Sequence, residues 1–186
     1  KAGLKLFLGS YPITPATDVL HELSKHKSLG VITVQCEDEI SGCATAIGAS
    51  FAGALAVTTT SGPGVCLKSE AMNLAVITEL PLVVLDVQRG GPSTGLPTKS
   101  EQTDLLQALF GRNGESPMPV IAATSPTNCF DAAYAACKMA LEHMTPVVLL
   151  TDGFVANGSG SWKLPNLDTY PEIKPQYVTP EMKDNY

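Results

Sequence analysis

The stretch Pro81-Leu82-Val83-Val84-Leu85-Asp86-Val87 limits the folds open to this chain more than any other. Side chains along a strand point alternately to opposite faces, so a run that is apolar at consecutive positions needs cover on both. A central strand of a parallel sheet flanked by helices meets that need. A sheet with one wet face does not. Shorter apolar runs recur at Lys5 to Gly9, Val31 to Cys36, Ala54 to Thr59, Val120 to Ala123 and Pro146 to Leu150. Between them, Val19, Leu20 and Leu23 fall at helical spacing, and Leu67, Met72, Leu74, Ala75 and Ile77 do so again. Gly42, Ala44, Ala46, Gly48, Ala49 and Ala52 outline an unusually lean helix, and Asn128 to His143 an alanine-rich one. A further helix is expected over Thr98 to Phe110, opened by Thr98 or Ser100 with Glu101 close behind. Ser61 to Gly64 reads as a turn. Six strands alternating with about five helices through short connections predict an α/β fold. It is a doubly wound, mainly parallel six-stranded sheet with helices on both faces.

With 186 residues, 44 % of them hydrophobic, the chain can bury a full core. The expected division is one domain over residues 1–157 and a polar, proline-bearing linker or arm over 158–186, leading to domains outside this chain. A start on Lys1 fits a piece of a longer protein. A net charge of −6 argues against nucleic acid or an anionic membrane as partner. No apolar run approaches the roughly 20 residues that span a bilayer, and the start does not resemble a signal peptide. Five scattered cysteines in apolar or small-residue settings fit free thiols in the cytoplasm, and without a Cys-x-x-Cys pair they support neither a zinc nor an iron–sulfur site.

Parallel strands deliver their following loops to one edge of the sheet, where ligands of such folds bind. Three of these loops carry unusual residues. Tyr11-Pro12-Ile13-Thr14-Pro15 is stiffened by two prolines. Glu37-Asp38-Glu39 stands where the lean helix begins; acids there are also ordinary caps, favoured by the helix dipole. Glu37 and Asp38 read as capping or exposed charges, and Glu39, facing the lean helix, is the acid best placed for burial. In the third loop Arg89 emerges from the apolar strand into Gly90-Gly91-Pro92-Ser93-Thr94-Gly95-Leu96-Pro97. A guanidinium there suits bidentate capture of a carboxylate or phosphate, or a structural salt bridge. Thr14 can offer a hydroxyl to the same anion, or serve as a loop residue. Gly62-Pro63-Gly64 can aim N–H groups at an anion but lacks the Lys-Ser/Thr of a phosphate loop. His21, His26 and His143 fall on helix surfaces, and Ser61 has no histidine placed to activate it, which speaks against a hydrolase.

Together these segments resemble the α subunits of the thiamine-diphosphate-dependent 2-oxoacid:ferredoxin oxidoreductases, specifically the domain that binds the cofactor's aminopyrimidine ring. Tyr11-Pro12-Ile13-Thr14-Pro15-Ala16-Thr17 is similar to the family's opening motif. Glu37-Asp38-Glu39, Ala46-Ile47-Gly48-Ala49-Ser50 and Thr60-Ser61-Gly62-Pro63-Gly64 are similar to its cofactor segment. Gln88 to Thr98 is similar to the signature of the 2-oxoglutarate-type members, and the likeness runs from the first residues to about Gly158.

The resemblance implies that Glu39 is the glutamate at N1′ of the aminopyrimidine. Thiamine enzymes place a glycine nine residues beyond that acid, and Gly48 lies at that distance from Glu39. A carboxyl there shares a proton with N1′ and favours the 4′-imino form that removes the C2 proton. The resemblance also assigns Ser61 and Gly62 to the cofactor, and Thr14 and Arg89 to the 2-oxoacid. The expected reaction is oxidative decarboxylation to an acyl-CoA with electrons passed to ferredoxin, 2-oxoglutarate being the favoured substrate. Pyruvate or branched-chain 2-oxoacids, or a purely assembly role, are the alternatives. The family's Gly-Asp-Gly…Asn pattern for Mg²⁺ and diphosphate is missing, Thr151-Asp152-Gly153-Phe154 being a partial echo. Mg²⁺, the iron–sulfur clusters and coenzyme A are therefore expected on a β subunit or other domains, in an oligomer without which this piece is inactive.

Overall fold

The computed structural model describes residues 1–185. Its elements run β1 (Leu6–Ser10), α1 (Thr17–Ser24), β2 (Ile32–Gln35), α2 (Glu39–Phe51), β3 (Leu55–Thr60), α3 (Gly62–Leu67), α4 (Ser69–Ile77), β4 (Leu82–Gln88), α5 (Leu105–Phe110), β5 (Val120–Ala122), α6 (Cys129–His143), β6 (Pro146–Asp152) and α7 (Gly153–Asn157). The six strands form one sheet in the order β2-β1-β3-β4-β6-β5, every neighbouring pair parallel. The doubly wound α/β sheet expected from the apolar runs is the fold observed.

Strand β4 demonstrates why both faces had to be apolar. Leu82 and Val84 pack with Cys43, Ala46 and Ile47 of α2, Val65 of α3 and Met72 of α4. Val83, one step out of phase, packs on the other face with Ala132, Ala136 and Ala140 of α6. Alternate side chains of one strand thus anchor two helical layers.

The lean helix α2 has a local cause within the chain. Gly9 of β1 and Gly42 of α2 face one another so closely that a Cβ at Gly9 would lie 2.5 Å from the Gly42 carbonyl oxygen. At Gly42 a Cβ would stand 3.2 Å from the Ser10 Cα. Small residues here let the helix sit directly on β1. Gly48 differs: it is exposed, with open space where a side chain would be.

Two expected boundaries move. The helix proposed for Thr98 to Phe110 is only α5, Leu105–Phe110. Main-chain groups before it are spent on the preceding loop: Gly90 N–H donates to the Lys99 carbonyl at 2.8 Å and Lys99 N–H to Leu96 at 3.0 Å. The Ser61–Gly64 turn is instead the start of a helix, α3, with Pro63 in its first turn, where the missing N–H costs no intrahelical bond.

After Asn157 the chain is irregular apart from short 3₁₀ turns, yet it is packed. Trp162 and Tyr170 set their rings 5.7 and 5.6 Å from Phe130 of α6, and Tyr170 lies 4.8 Å from Tyr134. Ile173 is 7 % exposed, and Gln176 N–H donates to the Leu141 carbonyl at 3.2 Å. The segment lies along the outer side of α6.

Candidate active site

The carboxyl ends of β1, β2, β3 and β4 bring the three loops together. Ser10 ties the first of these ends to the third: its hydroxyl donates to the Thr59 carbonyl at 3.0 Å and lies 2.7 Å from Thr59 Oγ1. Asp38 caps α2 in a reciprocal box with Ser41. Ser41 N–H donates to the Asp38 carboxylate at 2.7 Å, and Asp38 N–H to the Ser41 hydroxyl at 3.2 Å. These bonds hold the Asp38 carboxyl below its usual range. The cap fixes the first turn of α2, and the next residue is Glu39.

Glu39 is buried, 8 % exposed. The first turn of α3 covers it: a Cβ at Gly64 would lie 2.9 Å from Glu39 Cγ and 1.8 Å from Thr60 Oγ1. Only glycine allows that approach. Ser61, at the start of α3, is fully buried and its hydroxyl has no partner among the described residues. Gly62 is equally constrained, with the Asp104 carboxylate 2.6 Å from the place a Cβ would take. Glu39, Ser61 and Gly62 are therefore brought to one place.

Arg89 is 8 % exposed at the end of β4. It donates from Nη1 to the Thr14 carbonyl and from Nη2 to the Thr94 carbonyl, each at 2.7 Å, while Nε has no partner. Thr14 and Arg89 thus meet, through the threonine main chain, and the Thr14 side chain is exposed. No acid pairs with Arg89 among the described residues; its donors hold two loops. A cleft of 620 Å³ opens between α3 and the loop after β4, lined by Gly62, Pro63, Arg89, Thr94, Glu101 and Asp104. Glu101 accepts the Gly91 N–H at 2.6 Å and so shapes this loop, in place of the expected part in starting a helix.

Two buried polar residues at this edge, Lys68 and Asp86, are not singled out by the sequence, and a third, Asp152, has another part than its motif suggests. Lys68 is 0 % exposed and donates from Nζ to the Glu39 carbonyl at 3.0 Å and to Thr58 Oγ1 at 2.8 Å. A lysine between two helical segments looks like any solvated residue, so nothing flagged it. Asp86, 0 % exposed on β4, lies near Asp104, and neither Asp86 oxygen has a hydrogen-bond partner among the described residues. An acid inside an otherwise apolar run is the one local sign of it in the sequence. Asp152 spends Oδ1 on the Phe154 and Val155 N–H groups at 2.7 and 3.1 Å and Oδ2 on Gln102 at 2.7 Å. The partial echo of a metal motif is a helix cap, and no cluster of three acid, histidine or cysteine side chains capable of holding a metal occurs among the described residues.

A buried carboxylate beneath a glycine turn, an orphaned serine hydroxyl and an arginine at the next strand end make a site for a flat polar ring beside an anion. The model of the pyruvate flavodoxin/ferredoxin oxidoreductase thiamine-diphosphate-binding family matches residues 2–186. The chain belongs to this family. Within it, the chain is 62 % identical to the 2-oxoglutarate oxidoreductase subunit KorA of Mycobacterium tuberculosis, over 96 % of this chain and 27 % of that protein. It is 42 % identical to the 2-oxoglutarate synthase subunit KorA of Archaeoglobus fulgidus, over 89 % of this chain and 48 % of the relative. The structure of a 2-oxoglutarate:ferredoxin oxidoreductase from Magnetococcus marinus, bound to 2-oxoglutarate, coenzyme A and succinyl-CoA, superposes with a TM-score of 0.92. The two are 40 % identical, and the match covers 97 % of this chain and 32 % of that one. The chain therefore spans between about a quarter and a half of the length of these relatives.

Proposed function

We propose that this chain is the aminopyrimidine-binding part of the α subunit of a 2-oxoglutarate:ferredoxin oxidoreductase. The observation that carries this reading is the burial of Glu39 under the first turn of α3, the turn that also begins at the orphaned Ser61 hydroxyl, with Arg89 at the carboxyl end of β4 on the same edge of the sheet. These features fit thiamine diphosphate. The space over Glu39 is kept free of a Cβ, a buried donor awaits an acceptor, and the carboxylate makes no ion pair among the described residues.

In this reading Glu39 holds a proton at N1′ of the ring, and Ser61 and Gly62 line the ring's pocket. When bound, the cofactor supplies the electron sink that decarboxylation of a 2-oxoacid requires. Arg89, anchored through Nη1 and Nη2, has Nε and its remaining N–H directions for the substrate carboxylate. Thr14, held beside it, offers an exposed hydroxyl to the same group. The first turn of α3 covers Glu39, and the cleft between α3 and the loop after β4 leaves the substrate a way in.

A β subunit and further α-subunit domains would bring Mg²⁺, the diphosphate site, iron–sulfur clusters and coenzyme A, with residues 158–186 leading towards those domains. Ferredoxin would take the electrons, in the cytoplasm. Among the described residues no helix is long and apolar enough to cross a membrane.

The test is 2-oxoacid-dependent reduction of a viologen dye by the full-length chain co-expressed with its β subunit, with and without coenzyme A. Coenzyme A-dependent reduction favouring 2-oxoglutarate over pyruvate and branched-chain 2-oxoacids is expected. No reduction by a complex that contains thiamine diphosphate and intact clusters would overturn the reading.

A further inference from the structure

Lys68 joins α3 to α4 and is the largest fully buried side chain among the described residues. A lysine stem ordinarily carries its ammonium to water. Here Nζ instead ends on the Glu39 main-chain carbonyl at 3.0 Å and Thr58 Oγ1 at 2.8 Å. Both acceptors are neutral. A glutamine could serve them and a methionine could fill the space, so neither packing nor hydrogen bonding explains a charge.

The acidic groups around it narrow the explanation. Burial draws the Lys68 pKa down, and Cys43, Glu39, Cys36 and Asp38 push it back. The Cys43 thiol, acted on also by Glu70, is pushed up to about 11 by its own burial and carries no charge near neutrality. Cys36 turns its sulfur to the Thr45 hydroxyl at 3.5 Å. Asp38 is committed to capping α2 and lies at the surface. Glu39 remains, buried on the same first turn whose carbonyl Lys68 grips.

We propose that Lys68 is a positioning residue for Glu39: its ammonium clamps the first turn of α2 and supplies the positive potential in which the Glu39 carboxylate shares a proton with the aminopyrimidine. This rests on the cofactor reading above. Two devices then act on one acid. The Asp38 box fixes where the helix begins, and Lys68 fixes the carbonyl of the acid itself and places a positive charge beside it. Removing a positive charge near the ring favours the protonated ring, so the bound aminopyrimidine should keep its proton to higher pH.

The experiment compares Lys68→Met and Lys68→Gln in the full-length chain with its β subunit. The readouts are thermal melting without cofactor and pH titration of the bound aminopyrimidine by near-ultraviolet circular dichroism, without 2-oxoacid. Lys68→Gln should melt close to the wild type, since it removes a buried charge and keeps a donor, and Lys68→Met, which leaves the Glu39 carbonyl and Thr58 hydroxyl without their donor, should melt a few degrees lower. Both titration midpoints should move up by about 1 unit. Lys68→Gln keeps a donor for the Glu39 carbonyl, so its shift reports charge alone. Unmoved midpoints in both variants would overturn the assignment, as would failure of both to assemble, which would make Lys68 a folding residue only. A wild-type complex that binds no thiamine diphosphate would instead overturn the functional reading on which the assignment stands.

Discussion

Asp86 is buried near Asp104, and neither of its carboxyl oxygens has a hydrogen-bond partner among the described residues. A carboxyl buried without a donor is disfavoured in its ionised form. Burial first, then the Asp104 charge, pushes Asp86 well above the ordinary range; burial, with Glu101 nearby, raises Asp104. In the unfolded chain both would lose their protons near pH 4. Above that pH, up to the raised folded value, the folded state binds more protons than the unfolded one, and stability falls as pH rises. Asp86→Asn supplies a neutral donor to Asp104. It should raise the melting temperature at pH 8 by a few degrees and do much less at pH 5, flattening the pH dependence seen by calorimetry. Gly64 is the opposite case, a residue whose whole contribution is the absence of an atom. Gly64→Ala would set a methyl 1.8 Å from Thr60 Oγ1 and 2.9 Å from Glu39 Cγ. It should cost about 1–3 kcal/mol in a denaturant melt. It should also weaken thiamine diphosphate retention in the assembled enzyme.

Among the elements, the loop after β4 does the most with the least regular structure. It runs from Arg89 to Asp104, is pinned by Glu101 at Gly91 and by the Gly90–Leu96 bridge, and gives Arg89 one of its two carbonyl anchors, Thr94. Gly95 closes it with φ +58°, its Cα facing the Gly90 carbonyl so that a Cβ would fall 1.8 Å from that oxygen. Gly95→Ala should therefore unseat Thr94 and release Arg89. The expected result is a rise in KM for the 2-oxoacid of about tenfold or more in the dye assay, alongside a loss of about 1 kcal/mol or more in a denaturant melt from the strained loop. The loop also marks where reading the sequence stops. The strands were legible because Leu82 to Val87 and Pro146 to Leu150 are apolar at consecutive positions, which only a doubly covered sheet tolerates. Glu39, Thr14 and Arg89 can be singled out as candidates because each follows such a strand. The span from Thr98 to Asp104 was misread as helix because its capping-type residues bond to the loop behind them, a choice made by tertiary contacts. Lys68 was invisible for the same reason: its burial depends on α2 and β3 folding around it, and no local pattern records that.

In the whole molecule, strand order reverses between β1 and β3, so consecutive loops part to either side and leave a crevice at their carboxyl ends. Glu39, Ser61 and Arg89 stand around that point. The segment after Asn157 closes the far side of the molecule by covering Phe130 and Tyr134. Ile173→Ala should then cost about 2 kcal/mol in a denaturant melt, a loss that an unpacked tether would not feel. The candidate site lies at one edge of the sheet, while the turns at Gly30 and Gly53 sit at the other, where added side chains would meet open space. Such a layout offers the biochemist a handle: a tag or surface tether spliced in beside Gly53 would hold the domain with its candidate rim turned outward.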